Sequence, residues 1–336
     1  MLGGVYIGDA CTVRIAATTL VALLAVFPGL ACGNAPHVPP EGLPLLFEAV
    51  GEEPALYESA MDGCVEIHNV WKAQVRAVHL TAGGSISNRM EMLRDSAYAP
   101  YAEFWDGYAS DFVGWARREL DLASHPQRAF PTQVDLPSLI ADVTAQAEEM
   151  TGFRGCAQWY LVYGPGWAGM GALTDGRMLV EFFAHHSSPE DMRWALPHEV
   201  AHVIRGLESE PKPWDLLAVI VTEGVADYFK DTYWGNDQSV PETLGYSRAE
   251  WDWAIAHESE LWDLAMEQLG DTSPAVIHRY QAADKRVHPD GPTHVGYFLG
   301  YRIAEAYIAR HGEDALVDLF RLSARKILEE SGYSPG

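Results

Sequence analysis

The chain has 336 residues, with 23 Lys+Arg against 47 Asp+Glu, a formal net charge of −24 at pH 7. That excess of acid excludes binding of nucleic acid through phosphate contacts, which needs a basic surface. With 48% apolar residues and 11 tryptophans the chain can bury a large core, so wholesale disorder is excluded too, and its length fits one large domain or two.

Residues 15–30 form an uncharged run preceded by Arg14 and followed by Ala31, Cys32 and Gly33. A positive residue, a short apolar stretch and a small-residue exit are the marks of an export signal, here residues 1–32. Leu30-Ala31-Cys32-Gly33 resembles a bacterial lipoprotein processing site, which implies lipidation at Cys32 and an extracytoplasmic location with membrane contact only through the signal or the lipid. Residues 33–44 hold four prolines and suit an extended tether. Of the four cysteines, Cys64 and Cys156 remain in the body, where an oxidising compartment favours a disulfide over two free thiols.

From residue 45 to 150 the pattern reads as a helical amino-terminal part. Ile67, Val70, Trp71 and Val78 fall at helix-face offsets, as do Tyr101, Phe104, Trp105, Tyr108, Phe112 and Trp115, an aromatic stripe read as core. Pro137 starts a further helix that stops near Gly152. The period then changes: residues 158–163 and 178–183 are β-rich runs bounded by glycine-rich turns, predicting a small sheet. Helices are predicted again at 189–205, 214–233, 248–269, 293–310 and 313–329. The fold class expected is α+β, mostly helical, with residues 151–336 carrying the functional part.

His198-Glu199-Val200-Ala201-His202 is HExxH within a helix. Residues four apart lie one turn apart on one face, so both imidazoles can hold one Zn2+ ion. Leu196, Val200, Val203 and Ile204 mark that helix as buried, where charged groups need partners. The next helix carries Glu223 in an apolar run, a third ligand by the same reasoning, and Asp227 one turn on, spaced to orient an imidazole from behind. Glu199, beside the first ligand, is the candidate base. His68, His79, His257, His278, His288 and His311 have no ligand spacing and are read as core or surface residues.

The 21-residue step from His202 to Glu223 and the string EGVADYF resemble the gluzincin zinc metallopeptidases, the thermolysin and aminopeptidase N group. The string HVGYFLGYRI at 294–303 further resembles a bacterial family of predicted zinc-dependent proteases of unknown function. The resemblance implies a zincin-like site with His198, His202 and Glu223 on zinc, Glu199 as catalytic base, Asp227 behind a histidine, and Tyr301 or Tyr297, or else His294, as oxyanion donor. It implies hydrolysis of a peptide or protein substrate. Residues 169–173 (GMGAL) lack the glutamate of the aminopeptidase strand motif, which favours an endopeptidase. Two alternatives stand beside it: an exported binding lipoprotein that retains the fold, and a metal hydrolase of non-peptide amides or esters.

Overall fold

The computed structural model describes residues 58–60, 65–80, 84–108, 135–163, 170–172, 176–182, 189–206, 213–235 and 239–336. The export signal, the tether, Cys32, Cys64 and most of the glycine-rich turns lie outside them.

Five strands form one mixed sheet in the order β1-β2-β3-β5-β4. They are β1 (Glu58–Ala60), β2 (Val65–His68), β3 (Ala157–Tyr163), β4 (Met170–Ala172) and β5 (Met178–Phe182). β2, β3 and β5 run parallel, with Ile67 opposite Trp159 and Leu161 opposite Val180, while β1 and β4 close the two edges antiparallel. The α+β expectation therefore holds, but the purely helical reading of 45–150 does not. Ile67 is a strand residue, and Val65 to His68 alternate buried and half-buried as period-2 packing requires. Its neighbours Val70 and Trp71 open the next helix, which is why the two periods merge when read together.

Between β2 and β3 come α1 (Val70–Leu80), α2 (Ile86–Leu93), α3 (Ala102–Tyr108) and α4 (Leu136–Thr151). A parallel β2–β3 pair needs such a crossover, since a hairpin turn reverses direction. Asp135 caps α4 by accepting from the Ser138 N–H, and Gly152 ends it in the left-handed conformation, φ +72°. The sheet is buried on both faces. Tyr160, Val162 and Leu179 pack with Tyr101, Phe104 and Trp105 of the aromatic stripe, whose remaining side chains, Tyr108, Phe112 and Trp115, lie outside the description. Phe104 stacks on Tyr160 at 4.3 Å between ring centroids, so the stripe serves as core. Trp159, Leu161, Met178 and Val180 face the other way, into the main core. Cys156, just before β3, is disulfide-bonded; the three other cysteines lie outside the described residues.

The rest is helical: α5 (Pro189–Arg205), α6 (Leu216–Tyr233), α7 (Val240–Thr243), α8 (Arg248–Ala256), α9 (Glu258–Met266), α10 (Pro274–Gln281), α11 (Val295–His311), α12 (Leu316–Arg321) and α13 (Ala324–Ser331). The predicted helix at 248–269 is two helices broken at His257, and that at 313–329 breaks before Ser323, which caps α13. α6 is buried nearly all round, as its unbroken apolar run demands. It crosses α11 with backbones in contact: a Cβ on Gly224 would stand 1.8 Å from the Gly300 carbonyl carbon, and one on Gly300 1.9 Å from the Ile220 carbonyl oxygen. Only glycine at both positions permits this approach. Among the described residues no helix is long and apolar enough to cross a membrane.

Candidate metal centre

α5 and α6 supply the site. Asp215 caps α6 through the Ala218 N–H at 2.9 Å, fixing where the helix begins and so which residues face α5. On α5, Pro197 sits inside the helix immediately before His198. It has no N–H to give the Arg193 carbonyl, a cost of roughly 3 kcal/mol in a helix interior that the burial of this segment must offset.

Three ligand atoms converge. His198 Nε2 and His202 Nε2 are 3.0 Å apart, and Glu223 Oε2 lies 3.2 Å from the first and 3.5 Å from the second. Donors held at ~2.0–2.1 Å around a tetrahedral ion are about 3.3 Å from one another, and the three separations bracket that value. All three residues are buried, and together they could hold a metal ion. Asp227 Oδ1 accepts from His198 Nδ1 at 2.8 Å, so that loss of the other ring proton turns an Nε2 lone pair toward the cluster. The Lys230 ammonium lies 3.6 Å from the same Asp227 oxygen.

The electrostatics favour a cation. Burial by itself lowers the His198 pKa, but the Asp227 and Glu223 carboxylates outweigh it and raise it to about 10. Burial raises the Glu223 pKa, yet the adjacent His202 and His198 bring it down to about 2. At neutral pH the site thus clamps one positive charge between carboxylates. Glu199, 1% exposed, is pushed up by burial, with the histidines opposing, and its Oε2 has no hydrogen-bond partner among the described residues.

Of the two tyrosines, the structure brings Tyr297 to the cluster and places Tyr301 elsewhere. The Tyr297 ring stacks 6.2 Å from that of His198, and burial with the nearby Glu223, Asp227 and Glu199 carboxylates holds its phenol well above the ordinary tyrosine range. Tyr301, one turn later, donates to Asp231 Oδ2 at 2.8 Å. Of the two candidates left open by the sequence, Tyr297 is therefore the one beside the cluster. His294 caps α11 in the left-handed region at φ +56°, the one non-glycine residue with positive φ among those described. The Tyr246 hydroxyl holds this turn by donating to the His294 carbonyl at 2.8 Å. The imidazole is 9% exposed and meets Tyr297 edge-on at 5.7 Å, and its Nε2 has no hydrogen-bond partner among the described residues. The turn thus holds a buried imidazole beside the cluster, its Nδ1 paired with the Thr293 hydroxyl at 3.1 Å, in a backbone conformation few side chains adopt.

Sequence reasoning missed Gln281. Its Nε2 donates to Glu223 Oε1 at 3.1 Å from the end of α10, a helix not predicted at all, and nothing local distinguishes this glutamine from a surface one.

Residues 181–335, a little under half of the chain, match the model of one family, described as the gliding motility protein GldB. No curated protein and no solved structure matches. The match takes in HEVAH, EGVADY and the 294–303 string, and it is to a lipoprotein family. It overturns the identification with the gluzincin peptidases, and with it the terms hydrolase, metalloprotease, zinc and gluzincin as descriptions resting on that kinship. The reason is physical: the HExxH and glutamate spacings report how two helices bring donors together, and any family that keeps those helices shows them whatever it does. The lipoprotein character agrees with the export segment. The chain is exported and extracytoplasmic, with Cys32 the candidate for the lipid.

Proposed function

We propose that this exported lipoprotein-type chain binds one divalent metal ion, zinc foremost, in a zincin-like two-helix site of His198, His202 and Glu223. The carrying observation is the convergence of three buried donor atoms at separations of 3.0, 3.2 and 3.5 Å, with Asp227 fixing the tautomer of the first. Two imidazoles and one carboxylate are zinc-type donors, and three protein ligands leave a coordination position for something from outside. The site is then a device for holding a ligand, a peptide or protein segment, at the cell surface. The match to a family named for gliding motility is in keeping with a role at that surface.

Metal analysis of purified protein beginning at residue 33 tests this. One ion per chain, lost in His202→Ala while the fold is kept, is expected. Protein that carries none, and takes up none on reconstitution, would refute it.

A second reading is favoured by Glu199, which a site used only for holding does not need. When bound, a divalent ion supplies Lewis acidity at its open position. Glu199, with a raised pKa and an unpartnered Oε2, can accept a proton there and pass it to a leaving amine or alcohol. Tyr297 and His294 stand where they can donate to a developing negative charge. The chemistry fits amide or ester cleavage. Glu199→Gln should keep the metal and abolish any turnover found with peptide mixtures; retained turnover removes Glu199 as base.

A further inference from the structure

The two oxygens of Glu223 have different partners. Oε2 lies 3.2 and 3.5 Å from the two Nε2 atoms, whereas Oε1 accepts from Gln281 Nε2 at 3.1 Å. Gln281 is itself buried, 7% exposed, at the last position of α10. Its amide therefore meets Glu223 from a different helix than either histidine. A carboxylate free to rotate can offer a metal one oxygen or two, and the choice decides how many positions remain.

We infer that Gln281 is a positioning residue that keeps Glu223 monodentate, so that an ion bound by His198, His202 and Glu223 has three protein donor atoms and keeps a place for an external ligand. This rests on the metal-site reading above. With Oε1 tied to an amide N–H, only Oε2 is available to the ion. With Oε1 released, the carboxylate turns to chelate, and its second oxygen takes the position that an incoming ligand needs. A neutral amide suits the task because it donates to the carboxylate without adding a charge that would compete with the ion.

The test uses the whole protein from residue 33 loaded with Co2+, whose visible absorption is intense when four-coordinate and weak at higher coordination. Gln281→Met keeps the side-chain length and removes the donor; Gln281→Asn keeps an amide that is one methylene too short to reach. Far-ultraviolet circular dichroism establishes that each variant is folded. The wild type should show the intense band and a shift of it on titration with azide. Both variants should bind Co2+ about 10–100-fold more weakly by chelator competition, as losses behind a ligand typically do. They should also show a weaker band that azide no longer moves. A folded variant with the wild-type band and azide response overturns the role of Gln281 even if affinity falls, since a merely structural loss would not alter coordination number. Failure of the wild type to take up Co2+ overturns the metal reading itself, and this inference with it.

Discussion

Gly300→Ala places a methyl group where two helix backbones already touch. Its Cβ would lie 1.9 Å from the Ile220 carbonyl oxygen and 2.8 Å from Gly224 Cα. The helices must part by roughly 1 Å merely to reach the 3.0 Å below which real Cβ contacts essentially never fall. Such a gap forfeits about a quarter to a half of each dispersion contact along the seam. The seam is densely packed, with Ile220, Val221, Val225, Phe298, Leu299 and Ile303 all at most 1% exposed. Overpacking costs about 1–3 kcal/mol in general, and because backbone rather than a flexible side chain obstructs here, about 3 kcal/mol or more is expected. Guanidinium denaturation read at constant m measures it. Gly270→Ala is the control, since a Cβ there meets nothing within 4 Å, and it should stay within about 0.5 kcal/mol of wild type. Because Gly224 adjoins Glu223, Gly300→Ala should also weaken metal binding. A loss of under about 1 kcal/mol would refute the close crossing.

Three further outcomes are expected. Asp227→Asn should leave the fold intact and weaken metal binding about 10–100-fold, measured by chelator competition; undiminished affinity would separate Asp227 from the site. The His198 pKa is raised to about 10, so the metal-free protein carries that proton at pH 7 and an arriving ion must displace it. Calorimetry in two buffers of different ionisation enthalpy should show about one proton released per ion, affinity rising with pH up to about 10; release of none at pH 7 contradicts the clamp. Arg205, buried at the end of α5, donates to the Leu319 carbonyl and, at 3.1 Å, to that of Leu322. Arg205→Met should therefore destabilise the chain by about 2 kcal/mol and speed hydrogen exchange in residues 316–331, where unchanged protection would show that the carbonyls find other partners.

Much of the site could be read from the sequence because its rules are local. His198 and His202 are one turn apart on any helix, and Glu223 and Asp227 stand out as carboxylates in an apolar run, so α5 was predicted at its observed bounds and α6 to within two residues at its start. What was not legible depends on contacts between distant segments. Tyr297 and Tyr301 share a helix face in sequence, and only the rotation of α11, set by the Gly224–Gly300 contact, decides that the Tyr297 ring lies beside His198 while the Tyr301 hydroxyl meets Asp231. Gln281 gains its role only because α10 ends beside α6. The break at His257 was invisible because the apolar period continues across a single residue; the His257 ring bonds the Trp253 carbonyl at 2.8 Å and stacks on its indole. β2 was hidden by the helix that follows it after one residue.

Among the described residues the sheet is edged by β1 on one side and β4 on the other. An edge strand is a template for another copy's strand, and its reach grows with the number of unpaired N–H and C=O groups it presents. A lipid anchor would crowd many copies onto one membrane surface, the circumstance in which sheets most readily join edge to edge. A net charge of −24 repels such copies before they meet. Resistance to aggregation at high surface density is thus written into the chain's excess of acid.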